Sequence, residues 1–277
     1  MAAAGEFTVT FWGVRGSIAC PGPEYVRYGG NTSCLEVRCG SRLLIFDAGT
    51  GLRQLGRHLD AQGAVDADIF FSHTHFDHIT GLPFFSPAFK PANHFRIWAG
   101  HLLPEHRIYD VLSGLMMAPL FPVPLDVLKA NISYRDYKCG ETLEPHPGVV
   151  IRTAPLNHPN GATGHRIDYA GRSLCYVTDT EHQHGHLDKN ILGLIEGADV
   201  LIYDCTYTEA EYPRFVGWGH STWEEGARLC DAAHVKTLVI FHHDPSHDDT
   251  IMDGIAATAE RARPGTVVAR EGMVLSP

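Results

Sequence analysis

Ser72-His73-Thr74-His75-Phe76-Asp77-His78 follows directly on the apolar run Ala67-Asp68-Ile69-Phe70-Phe71. An apolar run rich in aromatic residues, bounded by polar ones, reads as a buried strand. The polar cluster therefore stands where a strand ends and a loop begins, the usual place for a site in open α/β layers. Neutral imidazole and carboxylate are the common ligands of zinc and related divalent ions. His73 and His75 fall on one side of an extended segment, because side chains alternate with period two. Asp77 and His78 follow at once and aim elsewhere when the chain turns. The natural reading is two ligands for one ion and two for a neighbour. A solvated loop that happens to hold histidines is the plainer alternative, but four ligand-type residues this close at a strand end favour metal.

The chain has 277 residues, 44% hydrophobic and 19% charged, which suits one large or two small domains with a real core. Its formal net charge is −10. That is a poor basis for gripping long nucleic acid, which needs Lys/Arg stripes. A small anionic substrate remains compatible when metal ions supply local positive charge. Eighteen histidines against 22 Lys and Arg suit a multi-histidine site. The seven cysteines are scattered, without a Cys-x-x-Cys pair, and argue against both a disulfide framework and a cysteine zinc cluster. No secretory leader and no membrane-length apolar run is visible, so a cytoplasmic protein without membrane contact is expected.

In chain order, Glu6–Trp12 reads as a first strand. A Gly/Pro-rich loop follows over 13–33, either facing a phosphate near the site or simply connecting at the surface. Cys34–Arg38 and Leu43–Phe46 form a hairpin, and residues 51–60 a helix. Asp47, at a strand end, either orients a metal ligand from behind or caps a turn. Ile79–Phe85 reads as a short helix or turn. Ile97–Ala99 reads as a strand, and Glu105–Met117 as a helix that Ala118–Pro124 cannot continue. Apolar residues there could line a substrate pocket or a homodimer contact, though ordinary core is the stronger reading. Short strands return at Ile132–Tyr137, Val149–Ala154, Gly164–Tyr169 and Ser173–Thr178. Val200–Tyr203 and Leu238–Phe241 are apolar runs of the fully buried kind. Ser221–Ala233 reads as a helix with Ser221 as its N-cap and Glu224 completing a capping box. Residues 249–262 give a last helix and Thr266–Ala269 a last strand. The expectation is one domain over 1–277, with an irregular insertion at about 86–130: an α/β fold built as a four-layer αββα sandwich.

Three further strands end in ligand-type residues. His158 follows Val149–Ala154, Asp179 follows Leu174–Thr178, and His242-His243 follows Leu238–Phe241. Together with the first cluster this makes five His and two Asp, enough for two ions sharing a bridging carboxylate. No cysteine is among them, which separates the set from structural zinc.

The motif His-x-His-x-Asp-His at 73–78, with these partners in this order, resembles the metallo-β-lactamase superfamily across nearly the whole chain. The resemblance implies that His73, His75 and His158 hold one ion. It gives Asp77, His78 and His242 to the other, with Asp179 bridging; a shifted register would put His243 in place of His242. Gly219-His220-Ser221-Thr222 is similar to the Gly-His-Ser-Thr block of ribonuclease Z and its phosphodiesterase relatives. That similarity implies that His220 assists at the phosphoryl centre; a local hydrogen bond at a helix start is the alternative. Ribonuclease Z carries a long tRNA-gripping arm between the positions matching His158 and Asp179, whereas here only residues 159–178 intervene.

The implied function is a dinuclear metal-dependent hydrolase, a phosphodiesterase on a small anionic phosphodiester such as a cyclic nucleotide. A metal-bridging hydroxide would attack phosphorus. Asp77 and His220 would act as the catalytic residues beside it. Its cofactors would be two divalent ions, zinc first, although manganese or iron suits the same ligands. A lactonase- or thioesterase-type carbon-ester hydrolase and a non-catalytic metal-dependent sensing module are the competing functions. His182, His184 and His186 follow Asp179 closely and read equally well as an exposed loop.

Overall fold

Strands buried on both faces need apolar partners above and below, and the centre of this chain is built that way. A computed structural model of the protein describes residues 6–277. The first sheet holds β1 (Phe7–Gly13), β2 (Cys34–Cys39), β3 (Arg42–Phe46), β4 (Asp66–Phe71), β5 (His94–Ala99) and β6 (Asn131–Asp136). The second holds β7 (Thr142–His146), β8 (Val149–Leu156), β9 (Ala162–Tyr169), β10 (Arg172–Val177), β11 (Val200–Asp204), β12 (Thr237–Phe241) and β13 (Val267–Val268). A last strand, β14 (Val274–Leu275), returns to pair with β1. The strand orders are β14-β1-β2-β3-β4-β5-β6 and β13-β12-β11-β10-β9-β8-β7. Pairing is parallel from β3 to β6 and from β10 to β13, and antiparallel elsewhere.

The helices are α1 (Gly51–Asp60), α2 (Phe76–Ile79), α3 (Ile108–Leu115), α4 (Lys189–Ile195), α5 (Trp223–Ala232) and α6 (Asp249–Ala262). Period-two alternation sorts each central strand between two apolar layers. On β4, Phe70 joins Phe46, Tyr176, Val239 and Phe241 between the sheets. Ile69 and Phe71 face the other way, toward Leu52, Leu55 and Leu59 of α1 and Leu112 of α3. On β12, Leu238 and Ile240 pack with Ile191 of α4, Leu229 of α5 and Met252 of α6. Each fully buried leucine of α1 contributes about 1.5–3 kcal/mol by leaving water. Three apolar layers between four layers of structure make an αββα sandwich.

The structure departs from the sequence expectations in several places. Residues 86–130, expected as an irregular insertion, include β5, which lies inside the first sheet between β4 and β6. The irregular part is confined to the excursion around α3. The apolar stretch near 118, read chiefly as core, leaves Met117, Leu120 and Val123 exposed. The N-cap of α5 is Thr222, not Ser221: the Thr222 side chain accepts from the backbone N–H of Glu225. Ser221 is unavailable as a cap because its hydroxyl is bonded to His182 and Tyr203. β7 and α4 were not anticipated. Asp188 accepts from the N–H groups of Asn190 and Ile191 to start α4.

Candidate metal centre

The parallel strands all deliver their C-terminal ends to one rim. His73 leaves β4, Asp179 leaves β10, Asp204 ends β11 and His242 leaves β12. The antiparallel strand β8 runs out to His158. The chain turns sharply there: Asp47, Asp179 and His242 adopt φ of 61°, 58° and 62°. Left-handed backbone is costly for such residues and concentrates at functional sites. It swings each side chain off the strand toward the rim.

Two groups of donor atoms result. His73, His75 and His158 form one, and Asp77, His78, Asp179 and His242 the other; within each group the donor atoms lie within 4.8 Å of one another. Nδ1 of His75 lies 3.0 Å from Nε2 of both His73 and His158. Asp179 stands between the groups. Its Oδ2 is 3.7 Å from Nε2 of His73 and of His158, while its Oδ1 is 3.2 Å from Nε2 of His78 and 3.3 Å from that of His242. Oδ2 of Asp77 is 3.3 Å from both His78 and His242.

Four imidazoles are aimed from behind. Nδ1 of His78 meets the buried Asp47 carboxylate at 2.8 Å, and that of His158 donates to the Gly219 carbonyl at 2.7 Å. Nδ1 of His73 meets the Ser72 hydroxyl at 3.1 Å, and that of His242 meets Thr206 at 3.0 Å. Such partners fix the tautomer and present Nε2 to an ion. Asp47 also accepts from Ser72 and Tyr176, so it orients His78 and does not reach the donor groups itself.

This set fits divalent metal. Nε2 of His78 is buried without a hydrogen-bond partner, a state that is costly unless a ligand fills it. Burial opposes charge on His78, yet Asp77, Asp179 and Asp47 together push its pKa well up. Burial likewise opposes ionisation of Asp179, and the surrounding His242, His78 and His73 hold its pKa far down. Buried carboxylates and imidazoles that stabilise one another's charge form a cluster calling for cations, and divalent ions meet that call with neutral histidines.

His220 enters the same centre. Its Nδ1 is 3.0 Å from Oδ2 of Asp204 and 3.8 Å from Oδ2 of Asp179. Burial disfavours the charged ring, but Asp204 beside it pushes the pKa up to about 9. Asp204 was missed in the sequence. It is fully buried and also takes hydrogen bonds from Thr180 N–H and from Thr206. The signal was present in Val200-Leu201-Ile202-Tyr203-Asp204, a buried strand ending in a carboxylate like the strands before Asp179 and His242.

Between the two adjacent histidines, the structure brings His242 to the centre. His243 points away to the carbonyl of Ala269. The 13–33 loop walls the second donor group. Ser17 N–H donates to Oδ2 of Asp77 at 2.7 Å, and Gly16 lies so close to His242 that a methyl would overlap the imidazole. His182 is buried against Ser221 and stacked on Tyr212, while His184 and His186 are exposed.

The described chain has no helix long and apolar enough to cross a membrane. The sequence profile of the beta-lactamase superfamily domain matches residues 42–243, well over half of the chain. Ribonuclease Z of Parabacteroides distasonis is 29% identical over 160 residues, 58% of this chain and 46% of that protein. Ribonuclease Z of Crocosphaera subtropica is 24% identical over 296 residues, 88% of this chain and 91% of that one. Among solved structures, the metallo-beta-lactamase fold protein YhfI from Bacillus subtilis superposes with a TM-score of 0.74 at 18% identity, covering 99% of this chain and 100% of that one. A diphosphatase from the PhnP family gives 0.71 at 17% identity, covering 98% and 97%. The profile match and the sandwich agree: the chain, similar in sequence to these ribonuclease Z proteins, belongs to the metallo-β-lactamase superfamily.

Proposed function

We propose that the protein is a dinuclear metal-dependent phosphodiesterase acting on a small, cyclic-type phosphodiester. The observation that carries this is the Asp179 carboxylate, which turns one oxygen to each donor group while His220 stands beside it. His73, His75 and His158 would hold one ion. Asp77, His78 and His242 would hold the other, with Asp179 shared. Bound divalent ions, zinc first among them, supply Lewis acidity toward phosphoryl oxygens and lower the pKa of water from about 15.7 toward about 7.

The chain's own residues then do the rest. Asp77 is held by the Ser17 N–H and faces both His78 and His242, so it is placed to orient the attacking water. With Nδ1 of His220 engaged by Asp204, Nε2 is the nitrogen left for substrate. It gives its proton to the leaving alkoxide as the P–O bond breaks. Asp204 keeps the ring in the orientation and protonation state that this requires.

The ribonuclease Z relatives and the PhnP-family diphosphatase neighbour support phosphorus over carbon as the reacting centre. A small substrate is favoured by the path from His158 to Asp179, which is the plain β9–β10 hairpin. It is favoured also by the net charge of −10, which opposes association with a long polyanion. Hydrolysis of bis(p-nitrophenyl) phosphate, set against a panel of lactones and thioesters with the same metal-loaded sample, tests the reading. Turnover of the phosphodiester is expected. Turnover confined to the carbon esters, or none on any panel, would overturn it.

A further inference from the structure

The loop that delivers His220 also displays an indole. Trp218 is 63% exposed and precedes Gly219, whose carbonyl takes the His158 hydrogen bond. Single exposed apolar residues are ordinary. This one differs in two respects. First, its loop is pinned on both sides of it: the backbone N–H groups of Gly217 and Gly219 donate to the Glu181 carboxylate at 2.9 and 2.7 Å. A ring already held in place costs little further ordering when it binds a ligand.

Second, the indole ends a run of aromatic contacts that begins at the metal centre. His220 meets Tyr207 edge-on at 6.1 Å between ring centroids. Tyr207 is stacked on Phe215 at 4.4 Å with only 5° between the planes. Phe215 meets Trp218 edge-on at 5.5 Å. None of Tyr207, Phe215 and Trp218 belongs to the three apolar layers of the sandwich. The row therefore runs beside the core, from the reacting centre to the surface.

We propose that Trp218, backed by Phe215 and Tyr207 and positioned by Glu181, is a stacking platform that selects phosphodiesters carrying a nucleobase. Every base offers a π-face to such a ring, and stacking on one aromatic side chain discriminates without base-specific hydrogen bonds. Trp218 is thus a specificity residue, and the inference rests on the phosphodiesterase reading of the same centre.

The test compares adenosine 2′,3′- and 3′,5′-cyclic phosphates with the matching base-free ribose cyclic phosphates, using metal-loaded wild type, Trp218→Ala and Trp218→Phe. The ratio of kcat/KM between base-bearing and base-free substrates is expected to fall about 5- to 150-fold in Trp218→Ala. The loss should sit in KM, with part of the ratio kept by Trp218→Phe. Adenosine monophosphate should quench indole emission in wild type, and that quench should vanish in Trp218→Phe. An unchanged ratio, or equal loss on both substrates, would overturn the platform and leave Trp218 a loop residue acting through His220. Wild-type turnover without preference for the base would remove the platform and keep the phosphodiesterase. Quenching without turnover of any cyclic phosphate would keep the platform and remove the phosphodiesterase.

Discussion

Nδ1 of His220 lies 3.0 Å from Oδ2 of Asp204, a carboxylate with no exposure to water. A buried carboxylate behind a histidine fixes its tautomer, its orientation and its affinity for a proton. In the proposed reaction this pair would make His220 the proton donor and Asp204 the residue that positions it.

Replacing His220 with Ala should leave metal content near normal while kcat falls about 10²- to 10⁴-fold. Asp204→Asn should cost about 10- to 100-fold, and adding it to His220→Ala should cost little more. Steady-state kinetics with metal analysis of each variant decide the matter. Unchanged turnover in His220→Ala would return this histidine to a structural role at the start of α5.

Two glycines crowd histidines of the donor groups. Gly219 has φ of +85°, and a methyl on it would overlap the His158 ring. Gly219→Ala should therefore displace His158, with left-handed backbone adding about 1–2 kcal/mol of strain. The expected outcome is weaker retention of one ion during dialysis against chelator. Gly16→Ala, which crowds His242, should weaken the other. Wild-type retention in both variants would mean that the loops yield more easily than their close contacts suggest.

His165 provides a pH test away from the two donor groups. It is fully buried, with Nε2 2.9 Å from the Tyr137 hydroxyl, and burial holds its pKa down at about 4. The unfolded ring, at about 6.5, takes up a proton that the folded one refuses. Its contribution to stability is thus present above about pH 6.5 and is lost as pH falls toward 4. At pH 5 the loss is on the order of 2 kcal/mol. Urea unfolding at pH 7 and pH 5 should show a fall in wild type that is shallower by this amount in His165→Gln. Equal falls would mean that His165 already carries its proton when folded.

Most of the donor cluster was legible because its His and Asp residues follow buried strands, and parallel strands bring their ends to one rim. The choice between His242 and His243 needed the backbone: at φ of 62° His242 leaves the strand line, while His243 bonds to Ala269. Asp204 was hidden because a single Asp after an apolar run is common, and only packing puts it behind His220. Thr222 displaced Ser221 as the helix cap because Tyr203 and His182 compete for the serine hydroxyl, contacts from outside the local sequence. β7 escaped because Glu144 and Pro145 break its apolar pattern. Such residues are tolerated on an edge strand, and β7 ends the second sheet.

In the proposed reaction Asp179 couples two ions, and both are required for turnover. Metal-depleted wild type should be titrated with zinc, and separately with manganese, while bis(p-nitrophenyl) phosphate turnover and bound metal are followed together. His75→Ala and Asp179→Ala belong beside it, with circular dichroism to check the fold. Turnover is expected to rise only as the second ion per chain is bound, and both variants should stay folded, hold less metal and lose turnover. Full turnover in metal-depleted wild type, or in a folded Asp179→Ala protein, would contradict it.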